Sequence, residues 1–198
     1  MTRHLQNHKL TISNEEINEL PLGAFEGKTV VISDEKILSR AFEEIHEYEV
    51  VGFDTETKPV FVRGHQNKVA LMQVALPEKV FLIRLKQTGI TEHMVNFLES
   101  ERILKAGVAL RDDIKALQRL RHYNPKGFIE LADLSKSAGL QVESVKKLTA
   151  LLLGFRISKS AQTSNWEAEV LQEKQISYAA TDAWVCLQIY QKLIQTKR

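Results

Sequence analysis

The sequence has few of the features that mark secreted, disulfide-bonded or membrane proteins. Cys186 is the only cysteine among 198 residues, which excludes an intramolecular disulfide and a cysteine-based zinc site. No apolar run approaches the roughly 20 residues that a membrane-spanning helix needs. The first residues also lack the apolar stretch of a signal peptide. We therefore expect a cytoplasmic protein with no disulfide partner and no membrane contact.

An excess of one charge is also missing. The formal net charge is +2, from 27 basic and 25 acidic residues, which is too small to indicate a polyanionic partner by itself. The hydrophobic content of 43%, with only 9 glycines and 4 prolines, predicts a sizeable core and no disordered class. The length fits a single domain, which we place at residues 26–198 after a weakly patterned extension at 1–25.

The apolar patterning predicts a mixed α/β domain. Short β-branched and apolar runs indicate strands, and the pattern predicts these at 29–32, 50–56, 68–76, 80–83 and 103–106. Apolar residues at helical spacing indicate helices, and we expect these at 15–20, from 34 to 45, at 92–98, from near 111, and at 131–138, 144–153 and 173–196. The result is an antiparallel-leaning sheet followed by helices.

Asp54 and Glu56 stand two residues apart near the end of a predicted strand. Side chains at this spacing leave the strand on the same face, so the two carboxylates are neighbours. Like charges repel each other unless a cation lies between them, which favours a metal site. The other interpretation is a pair of solvated residues at a strand end, and this pair alone leaves both open.

Two further acidic positions come later in the sequence. Tyr178 and Asp182 are four residues apart in the last predicted helix and therefore share one face. Asp113 lies at the start of the helix near residue 111, where the helix dipole favours a carboxylate. Ordinary surface residues would give the same patterns, and spacing does not choose between Asp113 and its neighbour Asp112.

Taken in order, three segments resemble the motifs of the DEDDy 3′-5′ exonucleases: GFDTE, AGVALRDDIKAL and YAATDA. Tyr178 marks the tyrosine branch of that family, because the histidine branch has its histidine at the position of Ser177. The segments KPVFVRGHQNKVALMQVA and Ser164-Asn165-Trp166 make the chain most similar to the Werner-type exonuclease domains and their stand-alone relatives. RNase D is a more distant member.

The resemblance implies a single-domain, ribonuclease H-like α/β fold with a mixed sheet flanked by helices. It implies that Asp54, Glu56, Asp113 and Asp182 bind two metal ions, Mg²⁺ or Mn²⁺, and that these carboxylates and Tyr178 are catalytic. The expected activity is 3′-5′ exonucleolytic hydrolysis of nucleic acid, with DNA favoured and the 3′ end single-stranded or recessed. The alternatives are RNase D-like trimming of RNA 3′ ends and a non-catalytic nucleic-acid-binding module.

Substrate contacts are predicted from residues around the first motif. Apolar side chains there are candidates for stacking on a terminal base, although each also fits a plain core position. Basic residues of the following loop are candidates for phosphate contacts. The predicted substrate-binding set is Phe53, Thr55, Arg63, Leu71 and Met72.

Overall fold

The computed structural model describes residues 9–59 and 68–196 of the chain. Its centre is a six-stranded sheet in the spatial order β1-β4-β3-β2-β5-β6. The strands are β1 (Lys28–Ile32), β2 (Val50–Thr57), β3 (Val69–Ala75), β4 (Lys79–Arg84), β5 (Leu104–Gly107) and β6 (Phe128–Glu130).

The sheet is mixed, as predicted. Strands β2, β3 and β4 form an antiparallel meander, which agrees with the predicted hairpin. The outer strands pair in parallel: β1 with β4, β5 with β2, and β6 with β5. The expectation of an antiparallel-leaning sheet therefore holds only for the centre. The sequence pattern missed β6, because its three half-buried residues are too few to show alternation.

The helices follow the sheet strands and cover both faces. They are α1 (Asn14–Glu19), α2 (Glu35–Ile45), α3 (Leu85–Thr88), α4 (Glu92–Leu98), α5 (Leu110–Gln118), α6 (Leu131–Ser137), α7 (Val145–Leu153) and α8 (Glu173–Thr196). The predicted caps are present: Ser13 and Glu16 form a capping box on α1, and the Asp34 side chain accepts from two amides of α2. The single-turn α3 was not predicted. None of the helices in the described residues is both long and apolar enough to cross a membrane.

The sheet separates two regions of the core. One region lies between the sheet and helices α2 and α4, and it includes Phe42, Phe53, Met72 and Phe97. The other lies beneath α8, where small residues such as Ala179, Ala180 and Ala183 pack against the strands. Cys186 is buried in a further cluster, in which α8 packs against α7.

The segment before β1 packs on the same domain. A bridge joins Leu22 to Arg156, and the Phe25 ring lies 5.7 Å from the ring of Trp184 on α8. The amide of Phe25 also donates to the Thr181 hydroxyl. The predicted division between an extension at 1–25 and a domain from residue 26 stays a prediction, because these contacts tie the two parts together without marking a boundary.

Candidate active site

The close approach of α8 to β2 builds the candidate site. A Cβ atom added at Gly52 would overlap the Ala183 carbonyl oxygen, so only glycine allows the helix to lie this near the strand. Gly52, Asp54 and Glu56 alternate along β2 and therefore face α8. The approach brings Asp182 of α8 to the two strand carboxylates.

Asp54, Glu56 and Asp182 form a tight acidic cluster. Each contributes one carboxylate oxygen, and these oxygens all lie within 4.8 Å of one another. Glu56 and Asp182 are 9% and 7% exposed, so bulk water does little to screen the repulsion between the carboxylates. The strand spacing and the helix spacing each predicted part of this arrangement, and the fold joins the two parts across 126 residues of sequence (182 − 56).

The proximity of these carboxylates raises their pKa values. Burial and the neighbouring Asp182 and Asp113 raise the pKa of Asp54 well above its usual range. Burial and the field of Asp54 raise the pKa of Glu56 to about 10, and burial raises the pKa of Asp182 to about 6. These shifts measure how unfavourable three negative charges are at this point without a compensating positive charge.

The donor set fits a hard divalent cation. Carboxylate oxygens are the ligands that such cations prefer, and the three side chains supply only oxygens. One oxygen of Asp182 (Oδ1) is fully buried and has no hydrogen-bond partner. A bound cation would satisfy this oxygen and remove the repulsion that raises the pKa values.

Asp113 lies close to the cluster but is not one of its three members. It stands in the first turn of α5, and its carboxylate accepts a hydrogen bond from the Thr55 hydroxyl. Burial raises the pKa of Asp113 to about 6, and its charge raises the pKa values of Asp54 and Glu56. Asp112 is exposed to solvent. The structure therefore directs Asp113, and not Asp112, towards the site.

Glu130 holds the start of α5, and the sequence patterns did not reveal this residue. Its carboxylate accepts from the amide of Leu110 at the start of α5 and from the amide of Ala132 at the start of α6. The preceding Ala109 has a left-handed backbone (φ 58°), which turns the chain from β5 into α5. An acidic residue directly before a helical segment was the available signal, and the short β6 concealed it.

Tyr178 lies beside Asp182 on the inner face of α8, as the spacing predicted. Its hydroxyl is within hydrogen-bonding reach of the Asp182 carboxylate, and burial together with these nearby carboxylates raises the Tyr178 pKa. The buried ring of Trp166 packs on Tyr178 with centroids 6.0 Å apart. Trp166 is 1% exposed, which agrees with the prediction that it packs beneath the last helix.

The cluster forms one wall of a cavity of about 680 Å³. Helix α7 and the segment between α7 and α8 also line this cavity, and there Lys146 and Lys159 supply positive charge. The charge of Lys159 reaches the cluster, because it lowers the pKa of Asp182. The sequence analysis did not predict either lysine, since both lie outside the three motifs.

The structure places the predicted substrate-binding residues in different surroundings. Phe53, Leu71 and Met72 are each 0% exposed and pack in the core, so their burial gives no support to the predicted stacking on a base, which stays a prediction. Thr55 lines the cavity, where its hydroxyl is held by Asp113. Arg63 lies outside the described residues, so its predicted phosphate contact stays a prediction.

A comparison of the sequence with known protein families agrees with the acidic site described above. The family model described as 3′-5′ exonuclease matches residues 29–196. The chain belongs to the 3′-5′ exonuclease family. The matched range contains strands β2 to β6, all but the first residue of β1, and the acidic residues of the site.

Two curated relatives of the exonuclease chain show the extent of the similarity. The bifunctional 3′-5′ exonuclease/ATP-dependent helicase WRN of Mus musculus is 35% identical over 151 residues, which are 73% of this chain and 11% of that protein. Exonuclease 3′-5′ domain-containing protein 2 of Drosophila melanogaster is 34% identical over 152 residues, 74% of this chain and 25% of that protein. The chain therefore spans a quarter or less of the length of both relatives.

Solved structures give the fold of the exonuclease chain. The EXO domain of Aedes aegypti Nibbler superposes with a TM-score of 0.78 at 22% identity, covering 88% of this chain and 92% of that one. Escherichia coli RNase D superposes with a TM-score of 0.77 at 23% identity, covering 85% of this chain and 45% of that one. The ribonuclease H-like fold with a mixed sheet is therefore confirmed.

Proposed function

We propose that the chain is a metal-dependent 3′-5′ exonuclease that hydrolyses phosphodiester bonds from the 3′ end of nucleic acid. The observation that carries this proposal is the cluster of Asp54, Glu56 and Asp182 at the wall of an open cavity. A buried acidic cluster costs free energy in the folded protein. The binding of catalytic cations in an exonuclease site would explain why the chain keeps this cluster.

The proposed cofactor is a pair of divalent ions, Mg²⁺ or Mn²⁺. When bound, such ions activate a water and neutralise charge on the phosphoryl oxygens. Asp54, Glu56 and Asp182 would hold one ion, with Asp54 shared with the second. Asp113 lies beyond the tight cluster and would hold the second ion largely through water. Thr55 holds Asp113 by a hydrogen bond to the Asp113 carboxylate. Glu130 holds the start of α5, the helix that carries Asp113.

Tyr178 would orient the attacking water. Its pKa is raised above the usual value, so the phenol keeps its proton at neutral pH and is not a general base. A neutral hydroxyl beside Asp182 donates one hydrogen bond and accepts another. This allows Tyr178 to position a water without taking its proton.

The cavity fits the end of a nucleic-acid strand. Its volume of about 680 Å³ is in the range of small-molecule sites, which suits one or two nucleotide units. Lys146 and Lys159 line the same cavity as the acidic cluster and would attract phosphates there. We propose a single-stranded or recessed 3′ end as the substrate, since a terminal nucleotide has to enter the cavity to reach these carboxylates.

We favour DNA as the substrate because the chain is also similar to DNA polymerase I of Aquifex aeolicus (strain VF5), which is 26% identical over 162 residues, 82% of this chain. The second candidate is trimming of RNA 3′ ends. It is supported by the match to RNase D, described as an exoribonuclease involved in structured RNA processing, and to a Trypanosoma brucei RNase D solved with RNA U12. A non-catalytic binding module is disfavoured, because all five predicted catalytic residues are present.

A labelled-strand assay tests the proposal. DNA and RNA oligonucleotides with a 5′ label, single-stranded or with a recessed 3′ end, are incubated with the protein and Mg²⁺ or Mn²⁺. We expect a ladder that shortens by one nucleotide at a time from the 3′ end, and DNA to be shortened faster. The Asp54→Ala variant and added chelator are the controls, and both should leave the strands intact.

Two results would change the proposal. Strands that stay intact with wild-type protein under both metals would overturn the nuclease activity and leave a binding module. Faster shortening of RNA than of DNA would keep the activity and replace the favoured substrate with RNA.

A further inference from the structure

Gln73 is a buried polar residue without a partner. It lies in the middle of β3 and is 0% exposed, and neither its amide nitrogen nor its amide oxygen makes a hydrogen bond. Burying an unpaired polar group destabilises the folded protein, because the group loses its hydrogen bonds to water. An unpaired amide at the centre of a sheet therefore calls for a physical explanation.

The register places Gln73 beside the acidic cluster. Residues 54 and 73 are directly opposed in the antiparallel pair of β2 and β3. Directly opposed residues point to the same face of a sheet, with Cβ atoms about 4.5–5.5 Å apart. Gln73 is therefore the cross-strand neighbour of Asp54.

The other surroundings of Gln73 are apolar. Its neighbours on the same face of β3 are Leu71 and Ala75, which pack with the alanines of α8, and the residue opposite it on β4 is Leu82. These side chains have no polar atoms. Of the two side chains directly opposite the amide on the neighbouring strands, Asp54 and Leu82, only Asp54 can accept a hydrogen bond from it.

We propose that Gln73 is a positioning residue of the metal site, and that its side-chain amide donates to the Asp54 carboxylate when this carboxylate binds a divalent cation. The inference rests on the proposed function, because it requires the cluster to bind metal. Carboxylate ligands are oriented by such outer hydrogen bonds. A neutral amide suits this role, because it orients the carboxylate without cancelling the negative charge that attracts the cation.

The variant Gln73→Met separates this role from packing. Methionine has a similar length and no hydrogen-bonding group, so it fills the space without leaving an unpaired polar atom. We expect the melting temperature of the chelator-treated variant to equal or exceed that of wild type. We also expect its affinity for Mn²⁺, measured by titration calorimetry, to fall about 10–100-fold.

Thr149→Val is the matched control. Thr149 is also 0% exposed with an unpaired side-chain oxygen, but it lies on α7 and does not line the cavity. This variant also removes a buried unpaired polar atom, so it should keep or raise the melting temperature. We expect its Mn²⁺ affinity to equal that of wild type.

A second measurement on wild-type protein needs no variant. If the amide of Gln73 gains an acceptor, its side-chain ¹⁵N–¹H signals should shift and exchange more slowly with solvent when Mg²⁺ is added. Unchanged signals at a Mg²⁺ concentration that saturates the site would overturn the inference.

The outcomes separate the inference from the proposed function. Wild-type protein that binds no Mn²⁺ would overturn the proposed metal site, and the inference with it. If wild type binds and Gln73→Met binds equally well, only the positioning role fails. A loss of affinity that comes with a lower melting temperature of the metal-free variant would assign Gln73 to packing and also overturn the role.

Discussion

The two faces of β2 and β3 differ sharply. On the face towards α2 and α4, these strands present the fully buried apolar side chains Val51, Phe53, Met72 and Val74, with Thr55 as a polar exception near the end of β2. On the face towards α8, the same strands carry Gly52, Asp54, Glu56 and Gln73 beside the apolar Leu71 and Ala75. Neighbouring residues of the same strands therefore form the core on one face and the candidate site on the other.

This difference shows how the fold tolerates an unfavourable cluster. The apolar face packs in the way that stabilises any domain, through burial of large side chains. The polar face carries repelling carboxylates and an unpaired amide, which a core optimised for stability would not contain. Because both faces belong to the same strands, packing of the apolar face fixes the backbone that carries the repelling carboxylates.

The largest expected effect comes from a change on the polar face. Glu56→Gln replaces a carboxylate ligand with a nearly isosteric amide that cannot bind a cation strongly. We expect turnover of a labelled strand to fall about 10³-fold or more, since a lost ligand should exceed the about 10–100-fold effect of an outer partner. The melting temperature in chelator should stay the same or rise, because the pKa of Glu56 near 10 means that the wild-type side chain is already neutral there.

The Glu56→Gln result has a clear contrary outcome. A variant that retains half of the wild-type turnover would show that Glu56 is not a metal ligand, and the comparison of the two faces would lose its functional meaning.

A change on the apolar face should have the opposite signature. Met72→Ala opens a space in the core next to Phe53, and large-to-small substitutions of this kind cost about 2–5 kcal/mol. We expect a lower free energy of unfolding in urea and nearly unchanged turnover, measured well below the melting temperature. A stable variant with a raised KM would instead restore a substrate contact for Met72.

A further prediction concerns Tyr178, which lies on α8 and faces the polar side of β2 and β3. Tyr178→Phe removes the hydroxyl beside Asp182 and keeps the ring that packs on Trp166. We expect turnover to fall roughly 10²-fold, the lower end of the effect of a positioned proton-handling group, with Mn²⁺ affinity in calorimetry close to wild type. Unchanged turnover would remove Tyr178 from the mechanism.

The last prediction concerns the pH dependence of stability. The pKa values of Asp113 and Asp182 are about 6 in the folded protein, above the usual value of 3.8. The folded state therefore holds protons that the unfolded state has released, so stability is lost as the pH rises from about 4 through 6. Glu56, with a pKa near 10, extends this loss to higher pH.

We expect the free energy of unfolding of chelator-treated protein to fall by several kcal/mol between pH 5 and pH 8, since each pH unit between the unfolded and folded pKa of a group costs about 1.4 kcal/mol. Saturating Mg²⁺ should abolish most of this fall, since the cation binds the deprotonated carboxylates. The measurement is urea unfolding followed by circular dichroism at each pH, with and without metal. Stability that rises over this range in chelator would contradict the assigned pKa values.

Much of the fold could be predicted from local patterns. The strands β2, β3 and β4 and the helices α2 and α8 are long enough to show their hydrophobic periods, and their positions are confirmed. The strand β6 and the helix α3 are too short for any period to appear. The parallel pairing of the outer strands depends on contacts that are distant in sequence, so periodicity carries no information about it.

The candidate site could be predicted only in pieces. Alternation paired Asp54 with Glu56, and helical spacing paired Tyr178 with Asp182, but only the family resemblance joined the two pairs. Glu130 depends on a turn geometry and Lys159 on an irregular segment, neither of which leaves a pattern. Phe53 and Met72 were assigned to substrate because they lie near the motif, whereas the strand alternation that paired the carboxylates also turns these two side chains away.

The contact between Gly52 and Ala183 has a consequence for how the protein folds. The sheet is synthesised before α8, so its polar face is open to water until the helix docks on it. The proposed metal ligands are divided between these two parts, and the unfolded chain has no assembled site. A cation should therefore stabilise the docked state by mass action, by about 2.7 kcal/mol at a concentration 100 times its dissociation constant. The ion would then lock the last helix of the fold in place as well as serve catalysis.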